Sequence, residues 1–103
     1  MEALVQFSKA MADENRLKIV ALIQREESLC VCEICDTLAL SQPLVSRHLK
    51  QLKAVGVLQS KKKNKWMIYS IVDAPSVLLE AYLKILSTHE TSIGEIISCK
   101  VKD

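Results

Sequence analysis

Residues 41–56 carry the marks of both ends of a helix, and that window limits the possible folds more than any other part of the chain. Ser41 is an N-cap residue, Pro43 falls in the first turn where a missing N–H costs nothing, and Gly56 supplies a stop. Along a helix that turns about 100° per residue, Val45, Leu49 and Leu52 cluster on one side, with Leu44, His48 and Val55 at its margin. Gln42, Ser46, Lys50 and Lys53 fall on the opposite side with Arg47 beside them. One face is suited to burial and the other to an anion.

The flanking segments fit a small helical unit. Ala3, Leu4, Phe7, Ala10 and Met11 recur at helical spacing, which predicts a first helix over residues 3–11. Asp13 reads as the N-cap of a second helix, with Leu17, Val20, Ala21 and Ile23 on one face and an end near Glu26 or Glu27. A short third helix is expected from Val31 to Ala39. After Gly56 the pattern changes: Val57-Leu58 and Trp66 to Ile71 are β-branched and aromatic, which predicts a hairpin with Trp66 and Tyr69 packed in it. Its tip is Lys61-Lys62-Lys63-Asn64-Lys65, where Asn64 can take positive φ. Pro75 opens a last helix with Leu78, Leu79, Tyr82, Leu83 and Leu86 on its apolar side, and residues 93–103 begin helical and then fray. The expected order is α-α-α-α-β-β-α: mainly α with one β-hairpin, a winged helix-turn-helix, in one domain over residues 1–103.

Charge is segregated along this order. Between Ser41 and Lys65 lie seven cations and no Asp or Glu, while the rest of the chain holds seven cations against all twelve acids. A basic block within a folded unit is the footprint of a polyanion-binding face. On such a face Gln42 and Ser46 can hydrogen-bond base edges, Arg47 can fork onto guanine, and Lys50 and Lys53 can neutralise phosphates. His48 borders the buried side, where a bond to backbone is as reasonable as a contact to DNA. Lys62, Lys63 and Lys65 on the hairpin would lie along the neighbouring backbone or minor groove of double-stranded DNA. No run of about 18 apolar residues predicts a membrane span. Four cysteines without an export signal predict reduced thiols and a cytoplasmic location.

Three of those cysteines, Cys30, Cys32 and Cys35, stand within six residues as C-x-C-x-x-C. Thiolates select soft ions, and three sulfurs are one fewer than a closed tetrahedral zinc site needs. They suit trivalent arsenic or antimony, As(III) or Sb(III). On an ideal helix Cys32 and Cys35 are about 60° apart and can share an ion, while Cys30 is about 140° from Cys35 and about 160° from Cys32. All three converge only if the backbone near Cys30–Cys32 leaves helical geometry. Capture of an ion is therefore expected to select a frayed helix start or to distort it, and so to misplace the reading helix that follows. Cys99 is expected to be an incidental thiol.

The stretches Met11-Ala12-Asp13-Glu14-Asn15-Arg16-Leu17, Leu29 to Cys35, Ser41 to Leu49 and Lys65-Trp66-Met67-Ile68-Tyr69 together resemble the ArsR family of metal-sensing repressors, over roughly residues 5–90. The resemblance implies a homodimer joined through its first and last helices that holds its operator until an inducer binds. It also implies that Ser46 and His48 belong to the reading helix and that the cysteine trio is the inducer site, with no cofactor required for DNA binding. Asn64 stands where the family's wing commonly has Gly. A cadmium-type sensor of the family would want a further Cys from the N-terminal region, and residues 1–29 contain none; a zinc or nickel type would want paired His and carboxylates, and the last helix offers only His89 with Glu90. Lead sensing, or release by thiol oxidation, is a further alternative within the family. From other classes, a thiol oxidoreductase would use Cys32-Glu33-Ile34-Cys35 after a strand, and no strand is expected there. A metallochaperone would leave the basic block without a role. With no nucleophile–base arrangement, no phosphate-cradling glycine loop and no carboxylate pair, the chain does not read as an enzyme.

Overall fold

The computed structural model describes residues 1–88; His89, Glu90, Cys99 and the expected terminal helix lie outside the described residues. The elements are α1 (Glu2–Ala10), α2 (Glu14–Glu26), β1 (Ser28–Cys30), α3 (Val31–Leu38), α4 (Gln42–Ala54), β2 (Leu58–Lys63), β3 (Trp66–Ile71) and α5 (Val77–Ser87).

The middle of α2 is buried on every side. Ile19, Val20, Ala21, Leu22 and Ile23 run consecutively through the interior, so its burial is broader than the single apolar face its spacing suggests. Around it pack Leu29, Ile34, Val45, Leu49, Leu52, Val57, Leu58 and Leu79. Each such side chain contributes about 1.5–3 kcal/mol when taken fully from water. Asp13 is extended and accepts the Arg16 N–H at 3.0 Å, which starts α2 as its sequence predicts.

The turn between α3 and α4 is set by Ala39, which takes a left-handed conformation at φ 56°. The N–H of Ala39 and that of Leu40 both bond to the Cys35 carbonyl. Ser41 then caps α4, its hydroxyl accepting the Leu44 N–H, and Pro43 sits in the first turn. The helix ends at Val55, and Gly56 follows at φ 81°. Only a residue without a Cβ reaches that conformation at little cost.

Three findings differ from expectation. First, the sheet has three antiparallel strands in the order β1-β3-β2, where a two-stranded hairpin was predicted. Ser28, Leu29 and Cys30 pair with Ser70, Tyr69 and Ile68. A three-residue strand is too short to show alternation, and only its partner defines it. Second, Lys61–Lys63 belong to β2 and pair with Ile68, Met67 and Trp66, leaving Asn64 at φ 57° and Lys65 as the turn. Third, Ser76 rather than Pro75 starts α5, its hydroxyl accepting the Leu79 N–H. Leu78, expected on the apolar side of α5, is 42% exposed, whereas Leu79 is buried.

Candidate nucleic-acid interface and thiol site

The apolar side of α4 (Val45, Leu49 and Leu52) is pinned to the core, so the opposite side has to face out. Gln42, Ser46, Arg47, Lys50 and Lys53 are all exposed on it, and Lys62, Lys63 and Lys65 are exposed on the β2–β3 hairpin. The Nζ of Lys53 donates to the Ser60 hydroxyl at 2.7 Å, a contact that ties α4 to β2. Lys65 places its Nζ 5.6 Å from the centre of the Trp66 ring.

His48 is not on that face. It is 5% exposed, and its ring points back to the corner between α1 and α2. A guanidinium only donates, so the 3.3 Å contact from Arg16 Nη1 makes His48 Nδ1 an acceptor and leaves the proton on Nε2. Nε2 stands 4.0 Å from Asp13 Oδ2 and has no hydrogen-bond partner among the described residues. Burial pushes the His48 pKa down; the Arg16 and Arg47 cations push the same way, against the Asp13 carboxylate and Gln51. Asp13 is held below the usual carboxylate range, first by the Arg16 N–H it accepts and further by the Arg16 and His48 charges, against some desolvation. The ring at this corner meets protein and not the outward face of α4.

Arg16 is the residue that the charge pattern alone missed. Its Nε donates to the Ala10 carbonyl at 2.6 Å and its Nη2 to the Lys9 carbonyl at 3.1 Å, both at the end of α1. Its Nη1 donates to Gln51 Oε1 at 2.8 Å on α4. One guanidinium therefore sets the end of α1 against the reading helix. Sequence offers Asp13 with Arg16 three residues on, but nothing in it announces partners more than thirty residues away.

The thiols are arranged differently from an ideal helix. Cys30 belongs to β1 and is the N-cap of α3, extended at φ −91°, ψ 167°. Its N–H donates to Glu33 Oε1 at 3.1 Å, within a buried corner. The backbone at Cys30 has thus already left the helix, and no distortion is needed to release it. The structure brings Cys30 and Cys32 together, Sγ to Sγ at 3.0 Å. Cys30 is buried, and Cys32 and Cys35 are half-buried thiols. Among the described residues no group of three or more Cys, His, Asp or Glu stands ready around one point. A strand does precede Cys32, so the expected absence of one is corrected. It is a three-residue antiparallel strand, not the parallel strand of a βαβ unit.

Beside the Cys30–Cys32 pair is a cavity of about 340 Å³ whose wall includes Gln42 from α4 and Lys65, Trp66 and Met67 from the hairpin. The sulfur pair, the first turn of α4 and the tip end of the β2–β3 hairpin thus share one space.

Comparison with known proteins agrees with this architecture. Residues 13–60 match the family described as bacterial regulatory protein, arsR family. The chain is 42% identical over 76 residues to the arsenic resistance transcriptional regulator ArsR1 of Pseudomonas putida, an alignment covering 74% of this chain and 59% of that protein. It is 45% identical over 65 residues to the cadmium resistance transcriptional regulatory protein CadC of Listeria innocua, over 63% of this chain and 55% of the relative. The chain thus spans somewhat more than half the length of these curated relatives. Among solved structures, HlyU of Vibrio cholerae in its reduced form superposes with a TM-score of 0.72 at 30% identity, over 85% of this chain and 88% of that one. No described helix is long and apolar enough to cross a membrane. With a capped reading helix and a basic wing in place, and with relatives at this identity and coverage, the chain belongs to the arsR family of bacterial regulatory proteins.

Proposed function

We propose that this chain works as a homodimeric transcriptional repressor that holds double-stranded operator DNA and lets go when trivalent arsenic or antimony binds Cys30, Cys32 and Cys35. The observation that carries the reading is the 3.0 Å contact between two of those sulfurs, at the head of the short helix that leads into α4. Arsenous acid would take three thiols and release three waters, leaving arsenic on three sulfurs. Two of the sulfurs are adjacent, so Cys35 is the one that must be drawn in. Its carbonyl accepts the Ala39 and Leu40 N–H groups, so a shift there is passed to the turn before Ser41. Gln42, Ser46 and Arg47 would read base edges, and Lys50, Lys53, Lys62, Lys63 and Lys65 would meet phosphates. His48 has a supporting role, behind the face that reads.

Dimerisation is supported by the surface of α1 and α5. Phe7 and Tyr82 join the two helices edge to face at 5.7 Å, and Leu4, Val5, Leu78 and Ile85 are left exposed on them. A second copy would cover those side chains.

The test is a mobility-shift titration of operator DNA under reducing conditions. Wild type is expected to release DNA with arsenite, and a Cys32→Ser/Cys35→Ser double variant to stay bound. Moving occupancy from 99:1 to 1:99 asks the ion to favour the released state by about 5.5 kcal/mol. Normal release by the double variant would refute the reading. A relative named for cadmium resistance stands at similar identity and favours a second reading, that a divalent soft ion is the inducer. Competition between arsenite, cadmium and zinc for one bound equivalent separates the two.

A further inference from the structure

We infer that Arg16 is a positioning residue for operator reading, holding α4 in register with α1 through the unprotonated ring of His48 and the amide of Gln51. The inference rests on α4 being the helix that reads DNA, and it makes no use of the cysteines.

The guanidinium has two working edges. Its Nε and Nη2 donate to the Ala10 and Lys9 carbonyls at 2.6 and 3.1 Å, where α1 ends. Nη1 carries two hydrogens and spends both on α4, one on Gln51 Oε1 at 2.8 Å and one on His48 Nδ1 at 3.3 Å. His48 and Gln51 are three residues apart and so about 60° apart around α4, which lets one planar fork meet both. A fork fixes direction as well as distance, whereas an ammonium offers its N–H groups from a single atom. The exposed Leu4 and Val5 that a second copy would cover belong to α1. The angle between α1 and α4 therefore sets how two reading helices meet two half-sites.

The ring is the part of this arrangement that acid undoes. Nδ1 accepts from Arg16 only while unprotonated, and an imidazolium makes it a donor facing a cation. The charged groups acting on the ring are Asp13 and Arg16 at the start of α2 and Arg47 on α4 itself. Glu14 is paired with Lys18 at 3.0 Å, and Lys9 on α1 is exposed. His48 Nε2, with no hydrogen-bond partner among the described residues, stands 4.0 Å from Asp13 Oδ2. A proton on Nδ1 therefore expels Arg16 Nη1 and draws the ring towards Asp13, and α4 loses one of its two anchors to the fork. The same proton adds positive charge, which strengthens sequence-independent binding. Selective and non-selective affinity thus move in opposite directions as pH falls, whereas unfolding lowers both.

The experiment uses the reduced full-length protein, a duplex enriched by the wild type from a random pool at about pH 7.5, and an unselected duplex of the same length. The readout is the ratio of the two affinities, and circular dichroism checks that each variant is folded at each pH. Arg16→Lys keeps the charge, so its non-selective affinity is expected to stay within about twofold while the ratio falls at least about tenfold. Gln51→Ala removes a solvent-exposed bond and is expected to lower the ratio about threefold. From about pH 7.5 to about pH 5 the wild-type ratio is expected to fall at least about threefold. In His48→Asn, whose amide oxygen stands near the place of Nδ1 and does not titrate, that change is expected to vanish. An unchanged ratio in folded Arg16→Lys, an equal loss of both its affinities, or a wild-type ratio that holds or rises down to about pH 5 would each overturn the inference. A wild type that enriches no duplex would overturn the reading of DNA by α4, and this inference with it.

Discussion

Removing the Arg16 guanidinium tests whether one side chain holds the reading helix against α1. In Arg16→Ala the Ala10 carbonyl loses a partly buried bond from a charged donor at 2.6 Å, worth about 1.5–2 kcal/mol. The Lys9 and Gln51 bonds are solvent-exposed, and water replaces most of what they contribute, so together they add about 0.5–1 kcal/mol. His48 Nδ1 is left buried without its donor, a further cost of about 1 kcal/mol. The sum is roughly 3–4 kcal/mol, which at a urea slope of about 1.5 kcal/mol/M lowers the midpoint by about 2–2.7 M. The measurement is a urea titration at fixed protomer concentration, since subunit association contributes to apparent stability. Arg16→Lys keeps a charge but cannot span the end of α1 and Gln51 with one ammonium group, and is expected to recover less than half of the loss. A change within about 0.5 kcal/mol in Arg16→Ala would show that apolar packing alone sets the helices, and that the reasoning is wrong.

Two other expectations follow from the same geometry. The folded-state pKa of His48 is depressed, so the unfolded chain takes up its proton first as pH falls below about 6.5. Stability from this residue is complete above that value and is lost towards the folded pKa, so the urea midpoint is lower at about pH 5.5 than at about pH 7.5, and His48→Gln flattens this step. Asp13, depressed as well, acts in a separate, more acidic window: its contribution is present above the ordinary carboxylate range and is lost as pH falls through its folded value. On the wing, Lys62→Gln/Lys63→Gln is expected to flatten the slope of log K against log salt by about 0.9 per phosphate contact, about 3.6 for two contacts in each protomer of a dimer. An unchanged slope would place those lysines away from DNA.

Much of this molecule is legible in local chemistry. Asp13 and Ser41 cap helices because their side-chain oxygens meet N–H groups three residues on, and Asn64 turns the hairpin because it tolerates positive φ; these effects reach only a few residues along the chain. The outward face of α4 follows from its period, since burying Val45, Leu49 and Leu52 forces Ser46 and Lys50 to the other side. The thiol spacing is likewise what motivates the proposed soft-ion site, whichever pair of sulfurs comes together.

What the linear pattern cannot express is which distant groups share a space. His48 lies at the margin of the buried face by its spacing, and it is the reach of Arg16 from another helix that turns its ring inward. Cys30 looks helical beside Cys32 and Cys35 until β3 pairs with it and holds it extended, so that its sulfur meets Cys32. Met67 and Trp66 look like ordinary hairpin residues until the fold brings them to the wall of the cavity that Cys30 and Cys32 also line. Capping and periodicity act within a turn or two and so can be read from residue order, whereas strand pairing and cavity walls depend on where the chain returns, which tertiary packing alone decides.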